Sequence, residues 1–216
     1  MTEMTEFEIK LQTAAAWLPQ HDPVLAPLIN LHGQARFQPH VDYYAALVTS
    51  IISQQLSVKA ASTINQRFQN LFGGHLPAPE AIVSMPHDEL RSVGLSNAKA
   101  NYIRDLAEHV IDGRIKFDSI PEQTNAEIIA ELTDVKGIGE WTVHMFLMFC
   151  VGRLDVLATG DLGVRNGIRN LYGLATAPTP QQVTKLAAQN SWHPYESVAC
   201  WYVWRSLENN GQPEKY

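Results

Sequence analysis

Apolar residues recur at helical spacing along almost the whole chain, and this period is what most limits its fold. One such face consists of Tyr44, Leu47, Val48, Ile51 and Ile52. Further helices are predicted near residues 57–73, 96–113, 124–132, 161–172, 180–190 and 195–208. Segment 139–151 is apolar on nearly every side, which predicts a central buried helix. No segment convincingly resembles a sheet, so the sequence predicts an all-α fold.

The predicted helices begin at residues that suit helix N-termini. Ser57 and Ser96 stand where a side-chain oxygen would cap the following helix. Thr124 and Glu127 have the spacing of a capping box, in which each side chain bonds the other residue's backbone N–H. These signals fix the start of three helices independently of their apolar faces.

The charge balance argues against a general polyanion binder. The formal net charge is −6, and an acidic excess in residues 1–30 supplies half of it. The rest of the chain has no basic stripe. Any contact with a nucleic acid must therefore use backbone amides and a few placed cations.

Two further features bear on the cellular environment. Cys150 and Cys200 lie fifty residues apart in apolar surroundings, which favours buried free thiols. Because the sequence has no cluster of four cysteines, an iron–sulfur cluster held by this chain alone is excluded. The N-terminus does not have the pattern of a signal peptide, and the most apolar stretch, residues 141–151, is too short to span a bilayer. We expect a cytoplasmic, nucleoid-associated protein, or a nuclear one in a eukaryote.

The segment "ELTDVKGIGEWTVHMF" predicts two helices joined by a short glycine loop. Gly137 and Gly139 let the backbone approach a partner closely, and the next helix starts with unpaired N–H groups that suit a phosphate. Lys136 would add one positive charge. The alternative is a plain helical turn, and the glycines alone do not decide between the two.

Four ordered motifs together resemble one enzyme family. They are "SIISQQLSVKAA" (50–61), "GLSNAKANYIRDLA" (94–107), the glycine loop followed by "LATGDLGVRNGI" (157–168), and "WHPYESVACWYVWR" (192–205). The set resembles the helix-hairpin-helix superfamily of DNA glycosylases, and within it the 3-methyladenine-DNA glycosylase II family in a compact form without an N-terminal β-rich domain.

This resemblance implies a fold of two helical lobes flanking a DNA-binding and active-site cleft, with a helix-hairpin-helix motif. We expect residues 1–40 to form an N-terminal helical segment packed on the core, 41–205 the glycosylase domain, and 206–216 a C-terminal tail. The expected partner is duplex DNA with alkylated bases, bound by a monomer.

Asp161, twenty residues after Trp141, matches the catalytic aspartate of the family. It also opens a predicted helix, so an N-cap role is the simpler alternative, and the two roles are compatible. Excision of a base passes through an oxocarbenium-like sugar cation. A fixed carboxylate would stabilise that charge in the transition state and could orient or deprotonate the attacking water.

Trp141 occupies the position at which lyase branches of the superfamily carry a Schiff-base lysine. Tryptophan has no amine for that reaction. We therefore predict a monofunctional glycosylase that hydrolyses the N-glycosidic bond of alkylated purines, such as 3-methyladenine and 7-methylguanine, without nicking the strand.

The resemblance also suggests a substrate pocket and a wedge. Trp141 and Trp204 are candidate aromatic walls for a cationic base, and His144 is a candidate contact, although core packing is the alternative for all three. Gln55, with Gln54 beside it and Leu56 as a substitute, would fill the gap left by a flipped base. Capping or solvent exposure is the alternative for the glutamines.

No cofactor is expected to be required, but the family's hairpin often holds a monovalent cation, Na⁺ or K⁺. The carbonyls of Thr133, Val135 and Ile138 match its ligands by resemblance. Two positions depart from the family: Glu196 and Asn97 stand where basic residues are frequent. Both changes remove positive charge that could meet DNA.

Two other functions remain compatible with these motifs. One is a non-catalytic protein that uses the hairpin to bind DNA structures, although such a protein would need neither Asp161 nor the aromatic tail. The other is a glycosylase for deaminated or oxidised bases. Neutral lesions of that kind usually need a general acid or specific donors, and no such group is evident.

Overall fold

The computed structural model describes residues 4–40 and 42–208. The α-helices in this part of the chain are α1 (Glu6–His21), α2 (Ala26–His32), α3 (Tyr43–Ser53), α4 (Val58–Leu71), α5 (Pro79–Ser84), α6 (His87–Ser92), α7 (Asn97–Ile111), α8 (Asn125–Thr133), α9 (Glu140–Met145), α10 (Leu162–Leu171), α11 (Pro180–Gln189) and α12 (Glu196–Arg205). A 3₁₀ turn spans Phe117–Ser119. No strand occurs among the described residues, so the predicted all-α class is confirmed.

The predicted helix starts are confirmed. Ser57 and Ser96 cap α4 and α7 by accepting the backbone N–H of the residue three positions on. Thr124 and Glu127 form the reciprocal capping box at the start of α8. Part of the predicted C-terminal tail, residues 209–216, lies outside the described residues, as does residue 41, where the predicted glycosylase domain begins.

The prediction of one buried helix over 139–151 is wrong in two respects. The α-helix ends at Met145, and Phe146–Val151 continue as a π-helix. Trp141, in the first turn, has 48% of its surface exposed. A segment that is apolar on all sides has no polar face to set the helical period, so its sequence could not distinguish α from π winding.

The chain divides into two compact units. The first combines the residues up to 38 with those from 152 onward, and the second comprises 39–151. Within the first unit α1 and α2 pack against α12, and α10 packs against both α11 and α12. Within the second, α3 packs against α4 and α7, α5 against α7, and α8 against α9.

A buried carboxylate fixes the N-terminal helices within the first unit. Asp22 is fully buried and accepts hydrogen bonds from the indole N–H of Trp192 (2.7 Å), the hydroxyl of Tyr172 and the backbone N–H of Val24. A buried carboxylate is tolerable because these donors replace its water. The contact joins the end of α1 to residues more than a hundred positions away.

Cys150 and Cys200 are buried free cysteines, as predicted. Burial raises the pKa of the Cys200 thiol to about 12, so this thiol stays protonated near neutral pH. Within residues 4–40 and 42–208, no helix has the length and apolar character needed to cross a membrane.

Candidate active site

Asp161 is the N-cap of α10 and is almost fully buried. Its Oδ1 accepts the backbone N–H of Val164 at 2.7 Å and the indole N–H of Trp204 at 2.8 Å. Two donors converging on one oxygen fix the orientation of the carboxylate. The predicted catalytic residue and one predicted pocket residue are therefore in direct contact.

Two glycines allow α10 and α12 to approach each other at this point. A Cβ on Gly163 would lie 3.0 Å from Asp161 Oδ1 and from Trp204 Nε1. A Cβ on Gly167, one turn further, would lie 2.5 Å from Val203 Cγ1 and 2.8 Å from the Val203 carbonyl oxygen. The Trp204 indole can reach the carboxylate because α10 has no side chain at these two positions.

A buried serine on α12 holds the segment that leads to Asp161. The Ser197 hydroxyl donates to the Arg153 carbonyl at 2.8 Å and accepts the Val156 N–H at 3.1 Å. The Ser197 backbone N–H donates to the Leu154 carbonyl at 2.9 Å. The same helix thus supplies Trp204 and anchors the chain just before the carboxylate.

In the second unit, the glycine loop between α8 and α9 has one position that requires glycine. Gly137 has φ of 84°, and a Cβ there would lie 2.1 Å from the Tyr102 ring. Gly139, the N-cap of α9, has φ of −98° and no neighbour within 4 Å of an added Cβ. Internal packing therefore explains Gly137 but leaves Gly139 available for a partner.

Lys136 is exposed, but its charge is paired. Its Nζ lies 3.2 Å from Asp105 Oδ1, and its backbone N–H donates to Asp105 Oδ2 at 2.8 Å. Burial raises the pKa of the Asp105 carboxyl, but the bonds and charge of Lys136 outweigh this and hold the pKa below its usual value. The predicted phosphate contact would thus come from a lysine that already has an anionic partner.

Trp141 and His144 lie one turn apart on α9. His144 is buried, and its Nε2 lies 3.6 Å from Glu140 Oε1. Burial lowers the pKa of His144 while Glu140 opposes the shift, so the imidazole is neutral at pH 7. Trp141 is the aromatic residue of this helix that offers a large exposed surface.

The wedge loop, defined here as residues 53–57, joins α3 to α4. Gln55 is exposed and has φ of 56°, a left-handed conformation that non-glycine residues rarely adopt. Leu56 is 37% exposed. Gln54 turns inward and donates from Nε2 to the Gly137 carbonyl at 2.8 Å, so the predicted wedge and hairpin are joined within one unit.

Sequence reasoning missed the side of α7 that supports both loops. Lys99 donates to the carbonyls of Ile52 and Gln54, Tyr102 packs on the hairpin glycine, and Asp105 bonds Lys136. The signal was present in "NAKANYIRD", because residues three apart share one side of a helix. The spacing shows that the three residues share one side of α7, but only the fold shows that this side meets the two loops.

The three carbonyls expected to hold a cation lie at the α8–α9 turn. The Val135 carbonyl accepts the Ile138 N–H at 3.1 Å. Among the described residues no backbone hydrogen bond to the carbonyl oxygens of Thr133 and Ile138 is found. A carbonyl-only ligand set suits a hard cation of low charge, and its occupation stays a prediction.

Comparison with known proteins identifies the family. Residues 48–192 match the model for the HhH-GPD superfamily of base excision DNA repair proteins. The chain belongs to that superfamily. It is 35% identical over 208 residues to DNA-3-methyladenine glycosylase 1 of Schizosaccharomyces pombe, covering 95% of this chain and 89% of that protein. The family expected from the four motifs is therefore confirmed.

Solved structures of HhH-GPD relatives have the same fold. A DNA-3-methyladenine glycosidase of Bacillus halodurans aligns with a TM-score of 0.81 at 37% identity, covering 94% of this chain and 92% of that one. The S. pombe 3-methyladenine DNA glycosylase in complex with abasic DNA aligns with a TM-score of 0.77 at 33% identity, covering 94% and 100%.

Proposed function

We propose that the chain is a monofunctional DNA glycosylase that removes alkylated purines, such as 3-methyladenine and 7-methylguanine, from duplex DNA. The observation that carries this proposal is the buried Asp161 carboxylate, held by the N–H groups of Val164 and Trp204. The names of the relatives, which are DNA-3-methyladenine glycosylases, support the substrate class.

The chemistry follows from the charge of the substrate. A 3- or 7-alkylated purine is cationic and leaves as a neutral base, so no acid need protonate it. The positive charge then moves to the sugar, where the Asp161 carboxylate stabilises it and orients the water that attacks C1′. Because its donors are in place beforehand, this carboxylate needs no reorganisation during the reaction.

Trp141 supports two further parts of the proposal, which are stacking on the substrate base and the absence of a lyase step. Its exposed indole provides a face for stacking on a cationic ring, beside the neutral imidazole of His144. Trp141 also stands at the position where a lyase would carry its lysine. Lys136, the lysine of the hairpin, instead forms an ion pair with Asp105, with Nζ 3.2 Å from Oδ1.

DNA binding in this proposal relies on the two loops of the second unit. Gln55 fills the gap left by the flipped base, and the backbone N–H groups near Gly139 take a phosphate, with a monovalent cation bound at the hairpin carbonyls. The protein works as a monomer on chromosomal DNA, in the nucleoid or the nucleus.

The test uses DNA treated with a methylating agent, with released bases measured by chromatography. Asp161→Asn is the informative variant, because asparagine caps helices well and keeps an oxygen for both donors. We expect wild type to release methylpurines and leave strands intact, and Asp161→Asn to be slower by about 100-fold or more.

Three other outcomes would each contradict a different part of the proposal. DNA binding without base release would support the non-catalytic alternative. Release of deaminated or oxidised bases in place of methylpurines would support a glycosylase for another lesion. Strand scission without added alkali would refute the absence of a lyase step.

A further inference from the structure

The wedge loop holds a conformation that it would not keep unaided. A left-handed φ at a non-glycine residue such as Gln55 is unfavourable by about 1–2 kcal/mol. Such residues persist where the surrounding structure determines them, and they concentrate at functional sites. Some other group must therefore restrain this exposed turn.

Lys99 provides that restraint. Its Nζ donates to the carbonyl of Ile52 at 2.8 Å and to that of Gln54 at 2.6 Å, immediately before Gln55. Bonds from a charged donor are about twice as strong as neutral ones. They also satisfy carbonyls at the C-terminal end of α3, where a helix macrodipole favours a cation.

The position of Lys99 on its own helix is unfavourable, which argues that the contact has a purpose. Lys99 lies in the first turn of α7, three residues after the cap Ser96, where the macrodipole disfavours a cation and Glu or Gln is preferred. The side chain is half-buried, and burial lowers the pKa of Lys99. The bonds to the loop offset both effects.

The restraint extends to the hairpin. Tyr102 and Asp105, on the same side of α7, hold Gly137 and Lys136. The Gln54 side chain links the wedge loop directly to the hairpin by donating to the Gly137 carbonyl. Loss of the Lys99 hydrogen bonds should therefore disturb the wedge loop, while the contacts of Tyr102 and Asp105 continue to hold the hairpin.

We propose that Lys99 is a positioning residue for base flipping, which fixes the wedge loop so that Gln55 can enter the duplex. This inference rests on the proposed glycosylase function. The proposed role of Lys99 predicts different effects on two kinds of substrate. A paired lesion must be flipped and its gap filled, whereas a lesion in an unpaired bulge is already out of the stack.

The experiment compares Lys99→Met with wild type in single-turnover release of 7-methylguanine from a paired duplex and from a bulge. Methionine keeps most of the side-chain length and removes the charge. We expect release from the duplex to fall about tenfold or more, which is about 1.4 kcal/mol, and release from the bulge to change less than about twofold. Lys99→Arg, which keeps charged donors, should recover part of the loss.

The matched control is Lys116→Met, which removes an exposed lysine from the same unit and should release both substrates at the wild-type rate. If Lys99→Met does not fold, Lys99→Gln retains a neutral amide donor group and permits the same comparison. Equal losses on the two substrates would overturn the inference, because they would show a general effect on the fold. Failure of wild type to release the base from either substrate would instead refute the proposed function, and the inference with it.

Discussion

Gly163→Ala, in the first unit, should lower the rate of base release while leaving the stability of the fold almost unchanged. A methyl group at this position would lie 3.0 Å from Asp161 Oδ1 and from Trp204 Nε1 and Cδ1. Ordinary contacts begin at 3.4 Å, so the carboxylate and the indole must move by about 0.4 Å. The methyl group thus acts directly on the hydrogen bond that orients the proposed catalytic group.

The expected effect on rate follows from that displacement. A misplacement of 1 Å can lower a rate about 100-fold, so 0.4 Å corresponds to a loss of about sixfold in single-turnover release of methylpurines. Stability should change little, because the gain of about 0.5–1 kcal/mol from replacing a helical glycine by alanine offsets the tight contact. Thermal unfolding and base release, measured on one preparation, test both parts.

Gly160→Ala is the matched control. An added Cβ at Gly160 would have no neighbour within 4 Å, and its φ lies outside the left-handed range. We expect its rate to match wild type. A Gly163→Ala variant that folds and reacts at the wild-type rate would refute the claim that the bond between Trp204 and Asp161 positions the carboxylate. An equal loss in Gly160→Ala would refute it too.

Three further predictions concern stability. Gly167→Ala should lower the thermal midpoint by several degrees, because crowding against the Val203 backbone costs about 1–3 kcal/mol; an unchanged midpoint would contradict the close helix contact. Gly137→Ala should destabilise by more than about 2 kcal/mol in a denaturant titration, since it combines a left-handed φ with overlap on Tyr102, and a loss within error would refute this. Asp105→Asn tests how stability depends on pH. Because the pKa of this carboxyl is lowered in the folded protein, its charge stabilises the fold above a pH of about 4, and this stabilisation is lost as the pH falls. The difference in thermal midpoint between the variant and wild type should therefore shrink between a pH of about 6 and a pH of about 3. A difference independent of pH would contradict this sign.

The sequence could predict those features that depend on neighbouring residues. The caps at Ser57, Ser96 and Thr124 were predictable because each acts on a residue three positions away. The same is true of Asp161 as an N-cap, since its bond to Val164 is equally local. Its second donor, Trp204, was predicted only as a pocket wall, because no local pattern joins residues forty-three positions apart.

Gly137 and Gly163 show why the rest could not be predicted. Both Gly137 and Gly163 were visible as glycines, and the first was predicted to lie in a loop that approaches a partner. What each one accommodates is an aromatic ring of the protein itself, Tyr102 in one case and Trp204 in the other. A sequence shows that a Cβ is missing, but only the fold shows what occupies the space. In both places the ring adjoins a proposed functional group, so replacing either glycine should affect function by displacing that ring. This distinguishes the two from Gly139, whose missing Cβ faces open space and which remains the better candidate for direct contact with DNA.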